Sequence, residues 1–313
     1  MFEYTYQNYF QFGYSNGRRF CNRQDPSETF IATYSHCHKQ VDSWREANRL
    51  ACIDIAEKAK GPIWVLLSGG TDSEICVRSF YEARVPIQIA TLRFKNKENA
   101  HDLQYVEKLR SQLDCEIHYF DMDIELFWRS SEFYKIVDAI QCVSPILACH
   151  LWLADQLEGT PVMAQGEPHL KKDIPEDYVP GESPYLPSAW RLVESERLCS
   201  LYKHFIFQDR PAVPGFFQYL PEQFYTYLKL NPILQKLIQN EIPGKLGTRT
   251  SKNQIALQFY PEVEVREKYT GFEKIQKLHD VKRSELAQRF PFSDQNFSIE
   301  YGQILKDLEL REP

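Results

Sequence analysis

No apolar run in this chain is long enough to cross a bilayer. The longest inside a recognisable element, Ile63-Trp-Val-Leu-Leu67, falls far short of the roughly 18 to 20 residues a span needs, so no membrane anchor is expected. Residues Met1 to Phe10 carry neither a basic leader nor an apolar segment, which predicts no secretory signal and a cytoplasmic location. Paired cysteines are missing too. The eight thiols sit at 21, 37, 52, 76, 115, 142, 149 and 199 with no CxxC among them, which argues against a zinc ribbon or a dithiol redox motif. Positive charge is in deficit, with 37 Lys and Arg facing 43 Asp and Glu for a net charge of −6. Because the basic residues are interleaved with acids, a nucleic-acid partner is not expected beyond a small local patch. Glycine is sparse at 13 residues, and no internal repeat or low-complexity tract is present, which sets aside fibrous and disordered classes.

What is present is core material. With 43% hydrophobic and 14% aromatic residues over 313 positions, the chain suffices for one large domain or two smaller ones. Residues 1–40 show no sustained helical period and read as an irregular or hairpin-bearing extension. Apolar residues from Val41 to Ala59 recur at intervals of three and four, predicting a helix that Gly61-Pro62 stops. The period then changes abruptly. Ile63–Leu67 is a continuous apolar run bounded by turn residues, as in a strand buried on both faces of a parallel sheet. Helices over 72–83, 98–113, 124–140 and 144–157 alternate with strands over 85–94, 116–120 and 161–165, a spacing that predicts a doubly wound, mostly parallel α/β sheet. The segment from Pro168 to Pro187 holds five prolines and reads as a loop, either a connector or a lid. Helical patterns at 222–239, 272–290 and 301–310 predict a mostly helical C-terminal portion. The expected division is an extension at 1–40, an α/β core at 41–170, and a lid loop with a substrate-binding portion at 171–313.

The segment that carries chemistry is Ser68-Gly-Gly-Thr-Asp-Ser73, between a buried strand and a helix start. Two glycines let the backbone turn tightly and approach an anion with no Cβ in the way. The first N–H groups of the following helix and its dipole favour that anion, and Ser68 and Ser73 add hydroxyls. A carboxylate at Asp72 makes sense beside phosphates if it holds a bridging Mg²⁺. The spacing is neither GxxxxGK[ST] nor GxGxxG. An ordinary strand-to-helix turn is the alternative for these residues.

In these residues the chain resembles the PP-loop ATP pyrophosphatase superfamily, whose SGGxDS signature Ser68–Ser73 matches in full. Asparagine synthetase, GMP synthetase, NAD synthetase, argininosuccinate synthetase, β-lactam synthetase, the 7-cyano-7-deazaguanine synthases and tRNA-thiolating enzymes share it. The resemblance implies an adenine nucleotide alpha hydrolase-like fold, ATP and Mg²⁺ as cofactors, and cleavage between the α and β phosphates. Ser68, Gly69, Gly70, Thr71, Asp72 and Ser73 then bind nucleotide, and Asp72 holds the metal. It places the adenine near Thr91-Leu92-Arg93, with Leu92 and Arg93 as cofactor-binding candidates; Arg93 reads equally as a surface cation. A second likeness, to asparagine synthetase-like domains, covers Leu151 to Glu167, where the family's GEGxDE is reduced to Gln165-Gly166-Glu167-Pro168. Glu167 is thus a catalytic candidate or a solvated loop acid.

Positive charge to offset the developing phosphate charge has candidates in Lys171 and Lys172, then Lys245, Arg249 and Lys252, then Arg266 and Lys268. His101, His118, His150 and His169 read as structural groups, with His169 alone near a site loop. The aromatic run from Phe216 to Tyr227 reads as core packing. The functional expectation is an AMP-forming ligase that activates a carboxylate or carbonyl oxygen for attack by ammonia or an amine. No glutaminase nucleophile is evident, since residue 2 is Phe, so the nitrogen would come from free ammonia, an amine substrate or a separate donor. Sulfur transfer to tRNA or a small molecule is the alternative, with Cys142 and Cys149 seven residues apart. A catalytically silent nucleotide-binding module is another.

Overall fold

The first strands, β1 (Phe10–Tyr14) and β2 (Phe30–Tyr34), form an antiparallel hairpin in a computed structural model that describes residues 9–172, 190–239, 257–264, 266 and 272–310. Helix α1 (Trp44–Lys58) follows, its first turn capped by Ser43, whose hydroxyl accepts from the Glu46 N–H at 3.1 Å. Then come β3 (Ile63–Leu66), α2 (Thr71–Glu82), β4 (Gln88–Phe94), α3 (Ala100–Leu113) and β5 (His118–Met122). The run expected to be helical from 124 to 140 divides into a short α4 (Ile124–Phe127) and α5 (Ser131–Ile140), because Asp123 and Ser130 each cap a new start. Helix α6 (Pro145–Asp155) and β6 (Thr160–Met163) complete this portion.

The four central strands lie in the order β5-β4-β3-β6, all parallel. Alternation along each strand sends side chains to opposite faces. Ile63 and Val65 join Ala51 and Ile55 of α1 and Ile75 and Phe80 of α2 in one cluster. Leu66, Ala90 and Leu92 join Ile136, Val137, Ala148 and Leu151 of α5 and α6 in the other. Helices therefore cover both faces, an arrangement compatible with a doubly wound fold. The chain runs outward from β3 to β4 and β5, then returns to the far side of β3 as β6. Such a reversal leaves a crevice at the carboxyl ends of the two diverging strands.

Among the described residues the C-terminal portion is mostly helical, as expected, but it holds a sheet that the sequence pattern does not predict. It carries an antiparallel sheet of β7 (Leu170–Lys172), β8 (Trp190–Ser195) and β9 (Asn296–Glu300). Its helices are α7 (Glu196–Phe207), α8 (Pro221–Leu230), α9 (Pro232–Ile238), α10 (Gln276–Arg289) and α11 (Tyr301–Leu308). The expected 222–239 helix breaks at Asn231, whose Oδ1 caps Leu234 N at 2.9 Å ahead of Pro232. Of the proline-rich segment, residues 173–189 lie outside the described residues; its start holds β7.

The N-terminal hairpin is built into the core. Phe10 packs on Phe224 at 5.1 Å and Phe12 on Tyr202 at 5.3 Å between ring centroids. Beneath them Glu196 is fully engaged, by Arg23 at 2.9 Å, Tyr14 Oη at 2.7 Å and the Gln295 N–H at 3.0 Å. A buried ion pair persists where such additional donors complete it. The cluster holding Val65 and Ile75 also holds Phe12, Trp190 and Leu308. Among the described residues no single helix is long and apolar enough to cross a membrane.

Candidate active site

Gly69 adopts φ +84°, and a Cβ there would sit 2.3 Å from the Asp102 carbonyl oxygen. The loop after β3 thus passes so close to the start of α3 that only glycine fits, in a conformation that favours glycine. Its two serines brace it. Ser73 Oγ accepts from Ser68 N–H at 3.1 Å, donates to Gly70 O at 3.0 Å and lies 3.1 Å from Ser68 Oγ. Gly70 is the N-cap of α2 and supplies no side-chain cap, and the first helical bond runs from Glu74 N–H to Gly70 O. An uncapped first turn at the carboxyl end of a parallel strand attracts an anion.

Two cavities meet at this turn. The first is lined by Ser68, Gly70, Asp72 and Ser73 of the turn and by the apolar Leu66, Leu92, Phe94, Leu153, Met163 and Phe272. Polar groups of the turn thus share one cavity with an apolar slot. The second is lined by Asp72, Gln165, Gly166, Glu167, His169, Glu194, Arg197 and Tyr227, among others. Asp72, Ala164 and Gln165 belong to both. Both open at the crevice between β3 and β6.

No known family model matches the chain, and none of the curated proteins matches it. What the site can do is therefore decided by its own geometry.

The sequence candidates divide. Ser68, Gly70, Asp72, Ser73 and Leu92 line the first cavity; Gly69 and Thr71 shape the turn from beneath. Arg93, one residue on from Leu92, points to the opposite side of the strand and is held bidentately by Asp121 at 2.5 and 2.8 Å. Glu167 lines the second cavity and accepts from Tyr227 Oη at 3.0 Å. Lys171 and Lys172 lie on β7, in register with Arg191 and Trp190. Lys172 Nζ sits 5.0 Å from the centre of the Trp190 ring, and burial pulls its pKa down. Neither lysine is among the described residues lining the two cavities. Lys245, Arg249, Lys252 and Lys268 lie outside the described residues.

Arg266 reaches the loop. Its guanidinium donates to Gly69 O, pairs with Glu74 and stacks 4.3 Å over the Tyr105 ring. Burial pulls its pKa down to about 10, against the opposing influence of Asp72. Glu74 also pairs with Arg78 at 2.7 Å, so two cations flank one buried carboxylate under the turn.

Four further residues carry no motif in the sequence. Asn99 accepts from Phe94 N–H at 2.9 Å and donates to Leu92 O at 3.0 Å, fixing the strand end that forms the slot. Asp102 lines the first cavity, and burial pushes its pKa up to about 6 despite His101 alongside. His150, read from sequence as structural, lines the same cavity, and burial pushes it down to about 4, so it is neutral at pH 7. Glu194 lines the second cavity at 4% exposure, and burial pushes it up to about 8.

Mg²⁺ is normally held by one or two carboxylates together with phosphates and water, not by a cage of protein ligands. Asp72 and Glu167, both on the second cavity, fit that donor set. Among the described residues no group of three or more His, Cys, Asp or Glu could hold a metal unaided. Cys142 and Cys149 are buried, burial pushes both thiols up, and neither lines either cavity. Low-pKa, accessible thiols are the reactive ones, so this pair lends no support to sulfur transfer.

Proposed function

We propose that the chain is an ATP-dependent adenylating ligase of the PP-loop kind, releasing AMP and pyrophosphate. The observation that carries this reading is the position of Asp72 on the wall common to two cavities, one combining the polar groups of the turn with apolar side chains and the other lined largely by polar and charged residues. A kinase would need the γ-phosphate aimed at the acceptor. Here Asp72 of the turn, with Ala164 and Gln165, forms the wall the cavities share, so an acceptor in the second cavity would reach phosphates held at the turn; attack on the α-phosphate is what the resemblance of Ser68–Ser73 to the SGGxDS signature implies.

In this reading the apolar slot of Leu92, Phe94 and Phe272 takes the adenine beside neutral His150. The Ser68–Ser73 turn receives the leaving pyrophosphate, and Arg266 fixes its carbonyl frame. Mg²⁺ at Asp72, with Glu167 as second carboxylate, would supply charge neutralisation on the phosphates when bound. The acceptor oxygen approaches from the second cavity, and an amine or ammonia then displaces AMP. The sulfur-transfer alternative lacks a thiol at either cavity among the described residues.

The deciding experiment is product analysis of ATP incubated with Mg²⁺, the protein and a panel of carboxylate, nucleobase and amine compounds. Acceptor-dependent AMP plus pyrophosphate is the expected result. ADP plus phosphate would overturn the mechanism, and tight ATP binding without turnover across the panel would favour a nucleotide sensor.

A further inference from the structure

β8 alternates strictly, with Trp190, Leu192 and Glu194 buried and Arg191, Val193 and Ser195 half-buried between them. A glutamate therefore occupies the third position of an otherwise apolar inward row. Glu194 is 4% exposed and lines the second cavity, and its Oε1 has no hydrogen-bond partner among the described residues. Gln218 is the one neighbour close enough to favour the ionised form of this carboxylate, and neither its Nε2 nor its Oε1 makes a hydrogen bond among the described residues. Burying a carboxyl group without a partner is costly, and a buried polar group left unsatisfied calls for an explanation.

The other charges of the cavity sharpen the point. Asp72, Glu167 and Glu194 face it from three elements. The opposing cation, Arg197 on α7, is gripped bidentately by Asp294 at 2.6 and 2.5 Å and so is already neutralised. His169 is the remaining basic group in the lining. The space, about 350 Å³, holds a compound of amino-acid size or larger.

We infer that the second cavity is a subsite for a cationic nitrogen, an ammonium or guanidinium group, which Glu194 receives. Such a group brings both the missing hydrogen-bond donor and the missing charge. That its bearer is the acceptor of the reaction rests on the adenylating reading; that it is a cation does not.

The test uses matched probes differing in one charged group: L-arginine against L-citrulline, and L-lysine against L-norleucine. Binding is measured by calorimetry without nucleotide, on the full chain and on Glu194→Gln and Glu194→Asp. In the native chain the cationic member of at least one pair is expected to bind about tenfold more tightly or better, as a charge-assisted hydrogen bond implies. Glu194→Gln should bring that ratio close to one, and Glu194→Asp, which keeps the charge but withdraws it, should leave it intermediate. Unchanged ATP affinity in both variants certifies the fold. Equal or better binding of the neutral members overturns the inference. So does a preference that survives Glu194→Gln, or no cationic binding up to about 10 mM, a concentration at which even weak millimolar sites register. Release of AMP is scored separately. A Glu194-dependent preference with no AMP from any mixture leaves the cation site standing and the ligase reading overturned. AMP release driven best by the neutral members does the reverse.

Discussion

Tyr227 donates its hydroxyl to Glu167 Oε1 at 3.0 Å, joining α8 to the loop that follows β6. The ring itself is 1% exposed and packs edge-on against Trp44, with centroids 5.0 Å apart. Burial and the neighbouring carboxylate push the phenol well above its ordinary pKa, so it stays a donor. The aromatic run from Phe216 to Tyr227 is therefore core, as its composition suggests, and its last member also orients a site carboxylate. Tyr227→Phe should keep the packing and remove one hydrogen bond to a charged group, lowering the unfolding free energy by about 1–2 kcal/mol. Urea denaturation measures that loss. ATP affinity measured in EDTA should not change, because Tyr227 is outside the described lining of the first cavity; in Mg²⁺ it should fall, because Tyr227 orients Glu167.

The two loop glycines make a paired test. At Gly69 a methyl group meets the Asp102 backbone in a left-handed conformation, so Gly69→Ala should cost at least about 1–2 kcal/mol for the conformation alone, with the α3 start displaced and ATP affinity reduced. At Gly70 φ is −77° and a Cβ would meet Ser68 Oγ at 3.3 Å. Gly70→Ala should cost under about 1 kcal/mol, the usual difference between these residues at an N-cap. Equal losses for the two variants would contradict the loop geometry.

Asp72→Asn separates a metal role from a structural one. Beside phosphates an unscreened carboxylate repels, and only a bridging cation makes it attractive. With Mg²⁺ the variant should bind ATP about tenfold or more weakly and release AMP roughly a hundredfold more slowly, as expected for loss of one charge-stabilising group. In EDTA its ATP affinity should equal or exceed that of the native chain. Equilibrium titration in the two buffers checks the reversal of sign, which a purely structural aspartate would not give.

How much of this was legible before folding follows from where the residues lie. Ser68–Ser73 is contiguous and flanked by a strand and a helix with clear periods, so both the loop and the α/β order of β3 to β6 could be read directly. Asp102, His150 and Glu194 reach the site from separate elements, and no local spacing marks them; Arg266 could be offered only as one of several basic residues, since nothing local tells it from the others. Glu194 also concealed its own strand. In Trp190-Arg-Leu-Val-Glu-Ser195 a charged residue stands at an inward position and an apolar one at an outward position, so the alternation that signals a strand is broken where the cavity needs a carboxylate. β7 is only three residues long, too short for any period to show. Lys171 and Lys172 looked well placed because they follow Glu167 closely, but pairing with β8 sets them in a second sheet. Departures of this kind concentrate where a chain sacrifices local consistency for a site.

The buried acid gives a pH signature with a definite sign. Glu194 has a folded pKa of about 8, above its unfolded value, so the folded state holds its proton more tightly. Its destabilising contribution is absent below the unfolded pKa near 4.5, grows as pH rises from there to 8, and is complete above 8. Asp102, raised to about 6, adds the same sign between its unfolded pKa and pH 6. His150, lowered to about 4, acts oppositely, since the unfolded state binds its proton more tightly and stability rises from pH 4 to about 6.5. These two oppose each other in the acid range and have finished by about pH 6.5. Between pH 6.5 and 8 Glu194 is left to dominate, and stability should fall with a slope approaching about 1.4 kcal/mol per pH unit toward the lower end of that window. Glu194→Gln should flatten this slope and be more stable than the native chain at pH 8. Urea unfolding of both proteins at half-unit intervals decides it; a native profile flat from pH 6.5 to 8 would mean that the carboxyl is not isolated as the geometry has it.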